Sequence, residues 1–324
     1  MQEKDSISKF TNKKLFLFIT ILFIILLATA SLFIGAYDVL GQKDGLNILL
    51  LTRIPRTLAL LLSGSAVSIS GLVMQLITQN RFVEPTTAGT TEWAELGLMV
   101  SFLLIPAPTL LQRMIFTIIF SFIGTFIFFN LLKKIKLKSS LMVPVIGIMM
   151  GAVISSINTF IGLAFAMNQS VEDWFNASFA PIESGRYEFL WLIVIFTFLI
   201  YKYADKITLA GLGESVSKNL GLDYNRIIVI GTFLVSINVG IVSAVVGNLP
   251  FLGLIVPNIV SLINGDNLRE NIYWVALLGM IVIVICDILA RILIRPFELP
   301  VSLILGILGA LIFIGLLIMK KRGD

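Results

Sequence analysis

TLALLLSGSAVSISGLVMQLIT, residues 57–78, runs for 22 residues without one charged side chain. An α-helix rises 1.5 Å per residue and the hydrocarbon core of a bilayer is about 30 Å thick, so about 20 apolar residues suffice to cross it. The stretch is that long, and it predicts a transmembrane helix. It is not uniformly greasy, because Ser63, Gly64, Ser65, Ser68, Ser70 and Gly71 crowd its middle. Lipid tails give two helices no hydrophobic reason to associate, so small residues that let backbones approach mark helix–helix seams. The functional alternative for the same residues is a wall along which cargo slides.

Working outward, similar runs fall near 15–36, 91–106, 114–132, 141–166, 189–204, 226–247, 251–264, 272–294 and 299–319. Ten runs are therefore expected to span, with 251–264 short for the task. Ala28, Thr29 and Ala30 resemble a signal-peptide cleavage site, but the first apolar stretch exceeds the ~7–15 residues of such a signal, and retention is the expectation. Composition agrees with a chain dissolved in lipid. Hydrophobic residues reach 57% and charged ones only 13%, against ~45–50% and ~25% in soluble proteins.

The same arithmetic excludes several chemistries. With no histidine and one cysteine, Cys286, there is no zinc-finger framework, disulfide scaffold or histidine base. No catalytic residue, metal site or cofactor is expected. The net charge of +5 fits the basic cytoplasmic loops of a membrane protein and does not imply nucleic acid. With the N-terminus inside, seventeen of the 24 lysines and arginines fall in inner segments. An even number of spans then places both ends in the cytoplasm.

No G-x-x-x-x-G-K-[ST] occurs, so the chain cannot hold nucleotide phosphates in a P-loop. Energy for uphill transport would come from a separate ATPase or from an ion gradient. An ion-coupled carrier usually shows mid-span carboxylates, where a charge costs about 2.5–3.5 kcal/mol. The candidates are Glu92 and Glu95 at the start of the third run, and Asp287 in the ninth. Arg291 follows Asp287 at the i,i+4 spacing at which opposite charges meet, which reads as a structural ion pair. A membrane enzyme would need a catalytic cluster that is not evident here.

Five blocks in order carry a family resemblance: RIPRTLALLLSGSAVSISGLVMQ (53–75), QNRFVEPTTAGT (79–90), NLGLDYNR (219–226), PFLGLIVPNIV (250–260) and CDILARILIRPFELPVSLILGILGALIF (286–313). Together they resemble the FecCD-type permeases, membrane subunits of ATP-binding cassette importers for ferric siderophores, haem and cobalamin. The 85–90 block PTTAGT is most similar to the branch for ferric catecholate siderophores. Two departures stand out. Asn258 sits where the family often has histidine, and Glu92, Trp93 and Glu95 replace a smaller, uncharged run.

The resemblance implies an all-α polytopic protein of about ten spans with inverted-repeat pseudo-symmetry, the type II importer permease architecture. Residues 1–324 would form one transmembrane permease domain in the bacterial cytoplasmic membrane. Residues 1–14 and 320–324 would be cytoplasmic ends and 205–225 a cytoplasmic coupling segment. Partners would be ATPase subunits, an extracytoplasmic siderophore-binding protein, a second permease subunit, identical or paralogous, and membrane lipid. An ion-coupled secondary transporter or channel is the alternative.

By resemblance, Arg53, Arg56 and Arg291, with neighbouring Arg295, would meet acidic residues of the binding protein; snorkelling at helix ends is the other reading. The ATPase would meet Gly211, Leu212, Gly213, Glu214, Val216, Leu220 and Gly221. Leu212, Val216 and Leu220 recur every four residues, an apolar stripe suited to a partner groove or to the bilayer surface. Gly221 is the expected positive-φ turn. The path would be lined by the fifth and tenth spans, including Gly147, Gly151, Ser155 and Gly306. A faint internal echo pairs QNRFVEPTTAG (79–89) with GNLPFLGLIVP (247–257), each following a span that starts beside an arginine and is rich in Ser and Gly. The two would enter from opposite sides, as inverted repeats do.

Overall fold

The computed structural model describes residues 2–35, 44–135, 142–167 and 175–321. Among them are eleven principal helices: α1 (Gln2–Phe33), α2 (Ile54–Ile77), α3 (Thr90–Leu104), α4 (Leu110–Lys134), α5 (Met142–Ala164), α6 (Leu192–Ala210), α7 (Glu214–Asn219), α8 (Tyr224–Val245), α9 (Leu252–Asn264), α10 (Leu268–Ile292) and α11 (Val301–Lys321). Each of the ten apolar runs is one helix, and α7 is the eleventh. No strand occurs among the described residues, only an isolated bridge between Asn176 and Asn248.

Two helices make the centre. In α2 and α8, 83% of the span is buried inside the protein, whereas the exposed faces of α1, α4, α5 and α6 are apolar. The lipid-facing sides are thus as greasy as the core, and small and polar residues organise the interior. On α2, a Cβ at Gly71 would lie 1.9 Å from the Gly253 carbonyl oxygen of α9, and one at Gly64 would lie 2.8 Å from the Gly279 oxygen of α10. The seam reading of 63–71 therefore describes what these residues do. Across α4 and α8, Thr117 donates to the Gly240 carbonyl at 2.8 Å and Ser121 to the Ser236 carbonyl at 3.0 Å.

Two helices are too short to span at 1.5 Å per residue: α3 with 15 residues and α9 with 13. Each follows a proline-containing, non-helical segment, 79–89 and 246–251. A helix starting inside a membrane protein exposes N–H groups that water cannot reach, so other protein groups must satisfy them. The two segments of the internal echo meet at this point. Glu84 from the first accepts the Phe251 N–H at 3.1 Å, at the entrance to α9. A carboxylate there also complements the positive end of the helix dipole.

The connection after the sixth run starts later than its sequence suggests. α6 continues to Ala210, so residues 205–210 extend that helix, and residues 211–223 separate it from α8. Apolar Ile207 and Ala210 are fully buried, and that burial carries the helix past the polar DK pair at 205–206. Between α6 and α8 lies one short helix, α7.

Candidate functional site

One end of the molecule gathers arginines. Asp287 of α10 is fully buried and receives Arg56 from α2, through Nη2 at 2.7 Å and Nε at 3.2 Å. Arg291, one turn further along α10, donates to the other oxygen of Asp287. Arg56 reaches Glu298 as well, at 2.7 Å. Arg291 Nη1 donates to the Ser31 and Ile34 carbonyls, 2.8 and 2.6 Å away, and Arg53 also donates to Ile34 at 2.9 Å. The last carbonyls of a helix have no partner within it, and guanidinium groups fill the vacancy at the end of α1. Gly35 makes room, because a Cβ there would fall 2.0 Å from the Arg53 guanidinium.

The outward rim of four arginines expected for docking is arranged differently in the folded chain. Arg53, Arg56 and Arg291 are 8%, 7% and 2% exposed, held by this chain's own acids and carbonyls, and Arg295 alone of the four is exposed. Asp287 does pair with Arg291, but it bridges to Arg56 too. Sequence spacing could suggest the local i,i+4 contact. The one across 231 residues had no local signal.

At the opposite end, Gly213 and Gly221 have φ of +104° and +77° and bracket α7. Both positions require the left-handed freedom of glycine. Buried Ser217 ties α7 down by donating to the Leu209 carbonyl at 2.9 Å. Leu212, Val216 and Leu220 are left 57%, 41% and 59% exposed. Gly211 packs on Leu76 at the end of α2. Glu214 pairs with Lys218 at 2.7 Å. That hydrogen bond, followed by the charge of the ammonium, holds the Glu214 carboxyl below its ordinary range and raises Lys218. Beside α7 opens a cleft of about 220 Å³ lined by Gln75, Gln79, Arg81, Thr208, Leu212 and Asp266.

Of the four residues expected to line a path, Gly147 and Gly151 are buried on the α5 face turned toward α3. A Cβ at Gly147 would lie 2.1 Å from the Thr87 carbonyl oxygen, and one at Gly151 would lie 3.3 Å from the Glu92 carboxylate. Ser155 is exposed, and Gly306 has no atom within 4 Å of where its Cβ would be. The unexplained run at 92–95 also acquires contacts. Trp93 fills the notch at Gly124 of α4, and Glu95 accepts from Asn158 of α5 at 3.1 Å. Asn258 donates to the Arg81 carbonyl at 2.8 Å, a structural task for the position where relatives often have histidine.

Glu84 is the residue that sequence reasoning quoted without giving it a role. Besides receiving Phe251, it accepts from Thr86 and lines a small pocket with Thr91, Ser243 and Asn248. Its position before Pro85, in a non-helical segment between two spans, was the available signal.

Comparison with known proteins agrees with this architecture. The chain is 61% identical over 304 residues to the petrobactin import system permease protein FatD of Bacillus anthracis, covering 94% of this chain and 91% of that one. Identity is 42% to the petrobactin import system permease protein YclN of Bacillus subtilis, covering 92% and 96%. A solved structure classed with metal-chelate type ABC transporters, in an inward-facing conformation, superposes with a TM-score of 0.80 at 25% identity, covering 94% of this chain and 99% of that one. The model of the FecCD transport family matches residues 15–320, and with that match the chain belongs to the FecCD transport family.

Proposed function

We propose that this chain is the membrane-spanning permease subunit of an ATP-binding cassette importer that carries a ferric siderophore of the catecholate class into the cytoplasm. The observation that carries the reading is the family match over residues 15–320 together with 61% identity to a siderophore-import permease. A third relative, the ferric-anguibactin transport system permease protein FatD of Vibrio anguillarum, is 36% identical over 90% of the chain. The chain sits in the bacterial cytoplasmic membrane with both termini inside, as the lysine and arginine distribution favours.

Energy enters from separate ATPase subunits. The stripe of Leu212, Val216 and Leu220, with Gly211, Gly213, Glu214 and Gly221 shaping it, is the surface they push. Its exposure beside a rigidly tied α7 is what a partner groove needs. At the other end an extracytoplasmic siderophore-binding protein docks by its acidic residues. Arg295 is open to it, and Arg56, Arg53 and Arg291 lie just behind, so a docking carboxylate competes with Glu298 for Arg56. Such charges favour encounter rate and orientation more than affinity. A second permease subunit, identical or paralogous, completes the path along the open face of α5 and α11, with Ser155 and Gly306 on the path and Gly147 and Gly151 setting the position of α5. The cargo needs no resident metal ligand set in this chain, because the siderophore already saturates its iron and strong protein ligands would trap it.

The test is uptake of ferric siderophores by cells lacking the gene and complemented with it. Uptake is expected to stop when the ATPase partner is disabled and to persist under a proton uncoupler with ATP maintained. The reverse pattern would make the chain an ion-coupled carrier.

A further inference from the structure

Phe251, the residue from which α9 starts, has φ +63° and ψ −14°. That left-handed backbone is easy for glycine and costly for a bulky side chain, so it persists only where its surroundings enforce it. Hydrogen bonds do so from both sides. The Phe251 carbonyl accepts the Leu254 and Ile255 N–H groups at 3.1 and 2.9 Å, and its own N–H donates to Glu84 at 3.1 Å. Glu84 is fixed in turn. It is buried, its backbone N–H donates to Thr87 Oγ1 at 2.8 Å, and its carboxylate accepts from Thr86.

The side chain held in this way lies against α11. A Cβ at Gly309 would fall 2.5 Å from Phe251 Cβ and 2.8 Å from its Cγ. One turn further along α11, Phe313 meets the ring of Phe82, edge to face with centroids 5.8 Å apart. Residues four apart share a helix face, so the segments 79–89 and 246–251 each set one aromatic ring under the same side of α11. On its opposite side Leu303, Ile307, Leu311 and Ile314 are exposed. Otherwise α11 rests mainly on α9 and α10, and at its start the Val301 N–H donates to the Ala177 carbonyl at 3.0 Å. A helix with so few supports stands where its seat puts it. The clamped backbone of Phe251 cannot retreat, so atoms added at Gly309 push α11 toward its open side.

We propose that Phe251, clamped by Glu84, is a positioning residue that sets how far α11 stands into the translocation path, and thereby how bulky a chelate can pass. The inference rests on the importer reading above, in which the open face of α11 borders the path. Phe251 touches no cargo and acts through α11.

The experiment measures radioiron uptake in cells lacking the chromosomal gene and complemented with the full-length chain, all partner subunits present. Two probes are compared, a ferric catecholate and the same chelate with an isopropyl group on each catechol ring. The readout is the ratio of substituted to unsubstituted uptake, in which delivery by the shared binding protein cancels between variants. Gly309→Ala is expected to lower the ratio about tenfold, the low end of what one misplaced carbon is worth in a packed site. The double variant F251G/G309A moves the Cβ from one side of the contact to the other and gives the left-handed position to glycine. It is expected to return the ratio to within about twofold of wild type, because the two residues act through one contact. ATP hydrolysis by the assembled importer should stay within about twofold of wild type in both, which a general packing defect would not allow. A ratio unmoved by Gly309→Ala, an equal fall for both chelates, or a double variant that fails to recover overturns the proposal. If Gly309→Ala does not reach the membrane, Phe251→Gly alone decides: a ratio raised about tenfold sustains the proposal and one within about twofold of wild type overturns it. Absence of both single variants from the membrane overturns it too, since the seat then holds the fold and not the path. If the wild-type chain takes up neither chelate, the importer reading itself falls and this inference with it.

Discussion

Replacing Asp287 isolates the energetics of the arginine cluster. The carboxylate is fully buried and shared by two guanidinium groups, Arg56 at 2.7 Å and Arg291. At an effective dielectric of about 20, each pair with charge centres near 4 Å gains about 4 kcal/mol of Coulomb energy. Burying the three charges cancels several kcal/mol of that, so the intact cluster contributes little net stability. Removing only the acid is different. Asp287→Ala leaves buried Arg291 with no acid and Arg56 with only Glu298, and loss of one partner from such a cluster costs about 3–5 kcal/mol. The assay is denaturant or thermal unfolding of the purified chain in detergent, with membrane abundance in cells as a second readout. Adding Arg291→Met to Asp287→Ala is expected to restore part of the loss, because one uncompensated charge disappears. The reasoning is refuted if Asp287→Ala costs under about 1 kcal/mol, or if the two substitutions add without recovery.

Other positions separate packing from function. Gly71→Ala is expected to prevent stable folding, since its Cβ would sit 1.9 Å from a backbone oxygen, whereas Gly306→Ala, with open space around it, leaves unfolding unchanged; chromatographic homogeneity in detergent distinguishes them. Glu84→Ala should lower stability by about 1–3 kcal/mol by orphaning the part-buried Phe251 N–H, and Glu84→Gln, which retains an acceptor, should lose less on the same unfolding curve. Leu212→Asp and Leu220→Asp are expected to insert normally, because both side chains are more than half exposed. They should nevertheless abolish co-purification of the ATPase and chelate uptake; retained coupling would return the stripe to the bilayer surface.

The periodicity of a helix is local, and so is the length an apolar run needs to cross a bilayer. For that reason all ten runs were legible from composition and spacing, including the short one at 251–264, and so was the turn at Gly221. The end of α6 was misplaced because Asp205 and Lys206 look like a boundary, while burial of Ile207 and Ala210 against neighbouring helices carries the helix onward. Glu92, Trp93 and Glu95 were visible as an anomaly. Their partners, Asn158 and Gly124, are supplied by other helices.

What the amino-acid order determined alone is therefore the membrane class, the ten apolar helices, the small-residue seam of α2 and the family. Each of these depends on residues within one segment or on motifs kept in order. Only the tertiary structure decided that Arg56, from the start of α2, closes on Asp287, that Glu84 satisfies a helix start 167 residues away, and that Gly147 and Gly151 face inward. Buried polar groups take whichever partner the packing brings within hydrogen-bond reach, and that choice has no period or spacing to be read along the chain.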